Sequence, residues 1–296
     1  MAGLRQSSSP PCKLIPTGAF YARMKNMPRG PVPVWIGLLV LGLSSGPAAP
    51  ALTPLSADDI IQKAVQRAES PEAREARPPY RYTKHTVTDE LDSQGRLKDR
   101  KEKLYEVQVE SGRSLLKLVQ LNGQPLSAEE KKKQDAQDLA ARQKMTDTKS
   151  GSKGDERENF LTRELVAKYR FKLIRELQLN GRDTYELAFE PLPNLSENHL
   201  TDRFLNQLAG TVWIDAQEFE IARAEIHLQG EVALWGGMVG TLTQCSYTLG
   251  RVRQPDGTWF NGLSHGFFQG RKLLEPMLIR TRSEATDFQR LDLALK

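Results

Sequence analysis

The 296-residue chain holds two cysteines, Cys12 and Cys245, and four histidines. Only Cys245 lies beyond the N-terminal leader described below, so the rest of the chain cannot form an intramolecular disulfide. In an oxidising compartment a lone thiol is safest when buried, and Cys245 is expected in the core. His85, His199, His227 and His265 show neither H-x-x-x-H spacing nor a neighbouring cysteine, so the pattern gives no structural zinc site. Long apolar runs are also missing. The longest, Val34 to Leu43, is about ten residues, against the roughly twenty that a membrane-spanning helix needs. Excess charge is lacking too, although the net value of +5 suggests otherwise. Residues 1–51 carry Arg5, Lys13, Arg23, Lys25 and Arg29 and no acids, and without them 37 basic side chains face 37 acidic ones. A chain neutral beyond its leader has no electrostatic footprint for nucleic acid.

What is present at the N-terminus has the three zones of a secretory signal. Lys25 and Arg29 form the positive region, Val34–Leu43 the apolar region, and Ser44 to Ala51 a small-residue stretch ending in Ala49-Pro50-Ala51. Cleavage is expected after Ala51, which places the mature protein in the periplasm or outside the cell. Met24 and Met27 are alternative starts. No cysteine closely follows the apolar region, so the protein is not expected to be a lipoprotein itself. The expected organisation is a leader over 1–51, a single domain over 52–290 with a charged helical insertion over 127–158, and a tail over 291–296.

The domain opens with a helix. Ser56 is a capping residue, Asp58 and Asp59 complement the helix dipole, and Ile60, Ile61, Ala64, Val65 and Ala68 form one apolar stripe up to Ser70-Pro71. From Tyr80 the period changes to two. Three runs, Tyr80–Thr88, Arg96–Glu110 and Leu115–Leu121, are punctuated by Asp92–Gly95 and Asn122-Gly123 and predict a meander. The polar stretch 84–103 is expected to project into water. Ser127-Ala-Glu-Glu130 is a capping box that opens a charged helix to about Met145. Its Lys131-Lys132-Lys133 run reads as a solvated face, because acids surround it. A linker over 146–155 and a short helix around Leu161–Val166 follow. Two strands then flank Asn180-Gly181, Leu195–Leu208 offers another short helix, and strands are expected over 210–215, 219–229, 240–254, 258–271 and 277–288. Sequential hairpins favour one wide antiparallel sheet that must twist or curl.

The search for catalytic chemistry gives one motif. Gly262-Leu-Ser-His-Gly266 fits the G-x-S-x-G pattern of a hydrolase, which would make Ser264 a nucleophile. That elbow requires a strand, a sharp turn and a helix, with a histidine downstream. Here Phe267–Arg271 continues as strand and no histidine follows position 265, so a glycine-bracketed bend is the better reading. Gly236–Gly240 lacks the context of a phosphate loop. The chain is read as not an enzyme, with a serine hydrolase using Ser264 kept as the weakest alternative.

Gly210-Thr-Val-Trp-Ile-Asp215, followed by Phe219-Glu-Ile-Ala-Arg223, resembles paired strands of the LolA/LolB-like lipoprotein-carrier superfamily. The leader, the first helix, Tyr185–Pro191 and the Trp259 strand after Pro255-Asp256-Gly257 agree in order. The likeness is to members described as outer-membrane lipoprotein-sorting proteins of the bacterial cell envelope. It implies a mainly β, α+β fold: a large curved antiparallel sheet forming an unclosed β-barrel covered by helices. It further implies a non-catalytic periplasmic carrier that shelters a lipid or lipoprotein acyl chain in an apolar cavity, with no cofactor and at most transient membrane contact. Tyr185, Leu187, Phe189, Trp213, Trp235 and Met238 are the candidate lining. The alternative is an envelope protein-interaction or stress-sensing module whose cavity is filled by its own side chains.

Overall fold

The computed structural model describes residues 55–70, 78–110, 113–136, 161–197, 199–234, 240–272 and 275–291. The expected leader, the expected linker over 146–155, Trp235, Met238 and residues 292–296 lie outside the described residues.

Helix α1 (Ala57–Glu69) begins where the sequence places it. The Ser56 hydroxyl accepts from the Asp59 amide at 3.1 Å, and the Asp59 carboxylate accepts from Ser56 N–H at 3.1 Å, a reciprocal capping box. Its apolar stripe is buried: Ile60 is 0 % and Ile61 4 % exposed. Full burial of such a side chain contributes about 1.5–3 kcal/mol, so tertiary packing rather than propensity holds this short helix.

Among the described residues twelve strands follow. They are β1 (Tyr80–Leu91), β2 (Leu97–Glu110), β3 (Arg113–Leu121), β4 (Gln124–Pro125), β5 (Tyr169–Leu179), β6 (Arg182–Pro191), β7 (Leu208–Asp215), β8 (Ile221–Leu228), β9 (Val232–Leu234), β10 (Gly240–Arg253), β11 (Trp259–Lys272) and β12 (Glu275–Arg290). The described residues also hold the helical stretches α2 (128–136), α3 (Arg163–Val166) and α4 (Leu200–Leu205). The hairpin turns Asn122-Gly123 and Asn180-Gly181 hold φ values of 52°, 75°, 52° and 77°. Two successive residues at positive φ are what a two-residue type I′ turn demands, and the Asn-Gly pair supplies them.

The ladders join into one sheet in the order β4-β3-β2-β1-β12-β11-β10-β8-β7-β6-β5, with β9 beside β10. Every described pairing is antiparallel, and β4 and β5 end the sheet at opposite edges, so the barrel is not closed. Register shifts interrupt the β1–β12, β10–β11, β5–β6 and β7–β8 ladders, among others. Each such bulge bends its strand and adds twist, which is how a sheet this wide curves. Asp287, at φ 57°, accompanies the bulge opposite Tyr82.

The stretch 84–103 divides: residues 93–101 are exposed, as expected, but the β1 part lies within the sheet. Lys84 to Leu91 pairs with β2 on one side and with β12, from Ala285 to Leu278, on the other. Its polar middle is satisfied within the sheet: Asp89 is 7 % exposed and takes two hydrogen bonds, at 2.7 and 2.9 Å, from Arg100 directly opposite. Charged cross-strand pairs replace the apolar residues whose scarcity suggested an arm.

Two apolar clusters form. One gathers α1 and Leu161 against Leu187, Val212 and Ile214. The other gathers Tyr80, Tyr82, Val107, Val109 and Phe260, with Phe288 stacked on Tyr82 at 4.9 Å.

Candidate functional site

Residues directly opposite in an antiparallel ladder lie on the same face. Following partners across the sheet gives one row: Leu173, Leu187, Val212, Ala224, Leu249, Ser264, Ser283, Thr86. The row is hydrocarbon over β5 to β10 and hydroxyl over β11, β12 and β1. Helix α1 covers the hydrocarbon part, where its Ile60, Ile61, Ala64 and Val65 meet Leu187, Val212 and Ile214.

Beneath α1 an apolar cavity of about 100 Å³ remains. Ala64 and Ala68 leave it open on the helix side, and Phe219, Ile221, Ala224, Ile226 and Leu249 form its floor, with Leu161 closing one wall. Its charged lining residues are Glu220 and Arg251. Arg251 Nη1 donates to Glu220 at 2.8 Å and to the Ile221 carbonyl at 3.2 Å, while Nη2 donates to the Trp259 carbonyl at 3.2 Å. Glu220 also takes Arg67 Nε of α1 at 3.2 Å, so one carboxylate ties the cover helix to the sheet. Glu69 adds a second tie by accepting from the Arg163 amide of α3 at 3.1 Å.

The turn between β7 and β8 sets the position of Glu220. Asp215 is fully buried and accepts four hydrogen bonds: Arg182 Nε at 2.5 Å, Arg182 Nη2 at 2.9 Å, and the Gln217 and Glu218 amides at 3.1 and 2.8 Å. Burial pushes its carboxyl up, but the Arg182 hydrogen bonds and the two amides outweigh that and hold it below the usual carboxylate range. Glu218 takes Arg253 at 2.6 Å and the Trp259 indole N–H at 2.6 Å, which fastens the turn to the β10–β11 hairpin. The Val-Trp-Ile-Asp block is thus a structural corner, and Phe219 completes it at φ 54°.

The sequence-derived lining divides between two faces. Tyr185 stands opposite Ile214, Leu187 opposite Val212 and Phe189 opposite Gly210, all on the α1 side. Leu187 is fully buried in the cluster with α1, and Tyr185 and Phe189 pack at its margin. None of the three lines the cavity itself. Trp213 stands opposite Glu186 and Arg223, on the other face, with the Arg223 guanidinium 5.2 Å from its ring centre. The residues that do line the cavity were missed because they are small or come from α1, β8 and β10. Ala64 and Ala68 carry a signal in retrospect: two alanines four apart interrupt an otherwise bulky stripe.

Ser264 lies mid-strand in β11, opposite Leu249 and Ser283, and Gly262 to Gly266 continues as strand without the turn a nucleophile elbow needs. His265 follows it on the opposite face, opposite Thr248 and Arg282. Cys245 is buried at 4 % exposure, and burial pushes its thiol up. Among the described residues no group of three or more His, Cys, Asp or Glu is placed to hold a metal ion, and no helix is long and apolar enough to cross a membrane. The larger hollows have mixed polar and apolar linings. One of about 580 Å³ lies on the face away from α1, among Asp89, Arg100, Glu102, His265, Phe267, Arg280 and Arg282.

No protein-family model and no curated protein sequence matches the chain. Among solved structures it is similar to a LolA superfamily protein from Nitrosomonas europaea, at 12 % identity and TM-score 0.31, over 81 % of this chain and 95 % of that one. It is also similar to an outer membrane lipoprotein-sorting protein domain from Vibrio parahaemolyticus, at 15 % identity and TM-score 0.34, over 80 % and 95 %. A DUF1329 family protein from Desulfovibrio piger aligns at 12 % identity and TM-score 0.29, over 81 % and 95 %.

Proposed function

We propose that the protein is a periplasmic, non-catalytic binding protein that holds an acyl chain, of a lipid or a lipoprotein, between α1 and the sheet. The observation that supports this is the cavity beneath Ala64 and Ala68, walled by side chains of α1, β8 and β10. The leader-like segment and the resemblance of the Gly210–Arg223 block point the same way.

Magnitudes define how binding works. Ligand pockets run to about 300 Å³ or more, and this cavity holds about 100 Å³. A whole acyl chain therefore enters by displacing part of α1. Ile60, Ile61 and Val65 give up roughly 5–9 kcal/mol of burial when they leave the sheet. A sixteen-carbon chain returns roughly 10 kcal/mol before ordering costs. The near balance suits a carrier that must both load and release.

The test is organic extraction of the purified protein with mass spectrometry, beside titration with a fluorescent fatty acid. Co-purified lipid and saturable binding, both lost in Ala68→Phe, are expected. A lipid-free protein that ignores the probe overturns the reading. The second reading, a protein-interaction module with a filled core, draws on the same helix. Ile60, Ile61, Ala64 and Val65 already occupy most of the space over Leu187 and Val212.

A further inference from the structure

The polar chemistry at the cavity wall specifies the ligand further, given the acyl-binding reading. Nearly the whole lining is hydrocarbon, yet Arg251 forms part of it with its side chain only 10 % exposed. Its Nε is buried and has no hydrogen-bond partner among the described residues. A guanidinium in an apolar wall is costly to keep there unless something uses it, because its five donors need acceptors. Two carbonyls and Glu220 satisfy it in part. Glu220 is itself shared, since its other oxygen takes Arg67 at 3.2 Å. Two guanidinium groups thus meet one carboxylate at the edge of the cavity, and one positive charge is left unmatched within this trio.

The geometry points to an amphiphile with a single anionic head as the ligand. Its hydrocarbon chain occupies the cavity together with the space that the Ile60–Val65 part of α1 vacates, and its carboxylate or phosphate is held by Arg251 alongside Glu220. A planar guanidinium suits either head, because both present paired oxygens to its fork. A second anion here balances the trio Arg67, Arg251 and Glu220, whereas a neutral head leaves the excess charge in place.

Three probes of equal chain length test this on the purified full chain: hexadecanoate, hexadecyl phosphate and hexadecanol, each in competition with a fluorescent fatty acid. Hexadecanoate or hexadecyl phosphate is expected to bind at least tenfold more tightly than hexadecanol, and the better of the two identifies the natural head. Arg251→Gln is expected to erase the preference, and Arg251→Lys, which keeps the charge, to retain part of it. Circular dichroism establishes that the variants are folded. Equal binding of all three probes by the unaltered protein overturns the anionic head and leaves the acyl site standing. A preference that survives Arg251→Gln removes Arg251 from the site. Binding of none of the three overturns the acyl-binding reading and this inference with it.

Discussion

Leu249 of β10 stands directly opposite Ser264 of β11, and at that pair the face beneath α1 changes from hydrocarbon to hydroxyl. On one side Ala224, Val212 and Leu187 continue the row under the helix. On the other, Ser283 and Thr86 share a hydrogen bond of 2.9 Å. Ser264 of the G-x-S-x-G pattern thus sits at this boundary, with Leu249 and Ser283 as its cross-strand neighbours.

Replacing Ser264 by alanine should therefore be silent in catalysis. Hydrolysis of p-nitrophenyl esters by the variant is expected to equal that of the unaltered protein, and thermal stability should change by less than about 1 kcal/mol. An esterase activity that disappears with Ser264→Ala would restore the hydrolase.

Packing separates structural wall from cavity rim. Leu187 is fully buried under α1, so Leu187→Ala is expected to cost about 2–5 kcal/mol in denaturant unfolding. Ala68→Leu fills existing space and should cost under about 1 kcal/mol. A neutral Leu187→Ala would mean that the cluster with α1 is loosely packed.

Acid acts through Asp215. Its folded pKa lies below the ordinary carboxylate value near 4, so its stabilising effect is complete above that pH and fades as pH falls through the folded value. Asp215→Asn removes the carboxylate that takes two hydrogen bonds from Arg182, leaving it Gln217 at 3.3 Å and Glu218 at 3.7 Å, and is expected to cost about 3 kcal/mol at neutral pH. The melting temperature should drop by roughly 6–12 °C, and the gap between variant and parent should narrow in acid. A constant gap from pH 7 to pH 2 would contradict this.

Alkali acts through tyrosines. Burial, together with the hydrogen bond to Asp256, raises Tyr80 to about 12, and burial raises Tyr169 to about 12. An unfolded tyrosine ionises near 10, so stability is fully present below that pH and declines as pH rises toward 12. Ultraviolet titration should show these two phenols ionising after the exposed ones, and Tyr80→Phe together with Tyr169→Phe should flatten the alkaline decline. Titration of all tyrosines together near pH 10 would refute it.

Much of the local structure was legible because its causes are local. The Ser56 cap, the stripe from Ile60 to Val65 and the two Asn-Gly turns each depend on residues a few positions apart. Strand existence followed from alternation. The partner of each strand did not, and nothing in Lys84–Leu91 indicates that it sits between β2 and β12. The site suffered from a preference for large side chains. Trp213 alternates with Val212 and Ile214, so the period of two already assigned it to the other face, but its size drew it into the lining. The alanines that make the hollow were passed over because an absence of side chain leaves little mark in a sequence.

The place of β12 between β1 and β11 has a consequence for folding. Without β12 the ladders divide into two separate sets, β1–β4 and β5–β11. The β1–β12 ladder that joins them runs from Tyr80 opposite Arg290 to Leu91 opposite Leu278, and contacts so distant in sequence are slow to form. Until β12 is inserted, β1 and β11 each keep a bare edge, and such edges invite pairing with another chain.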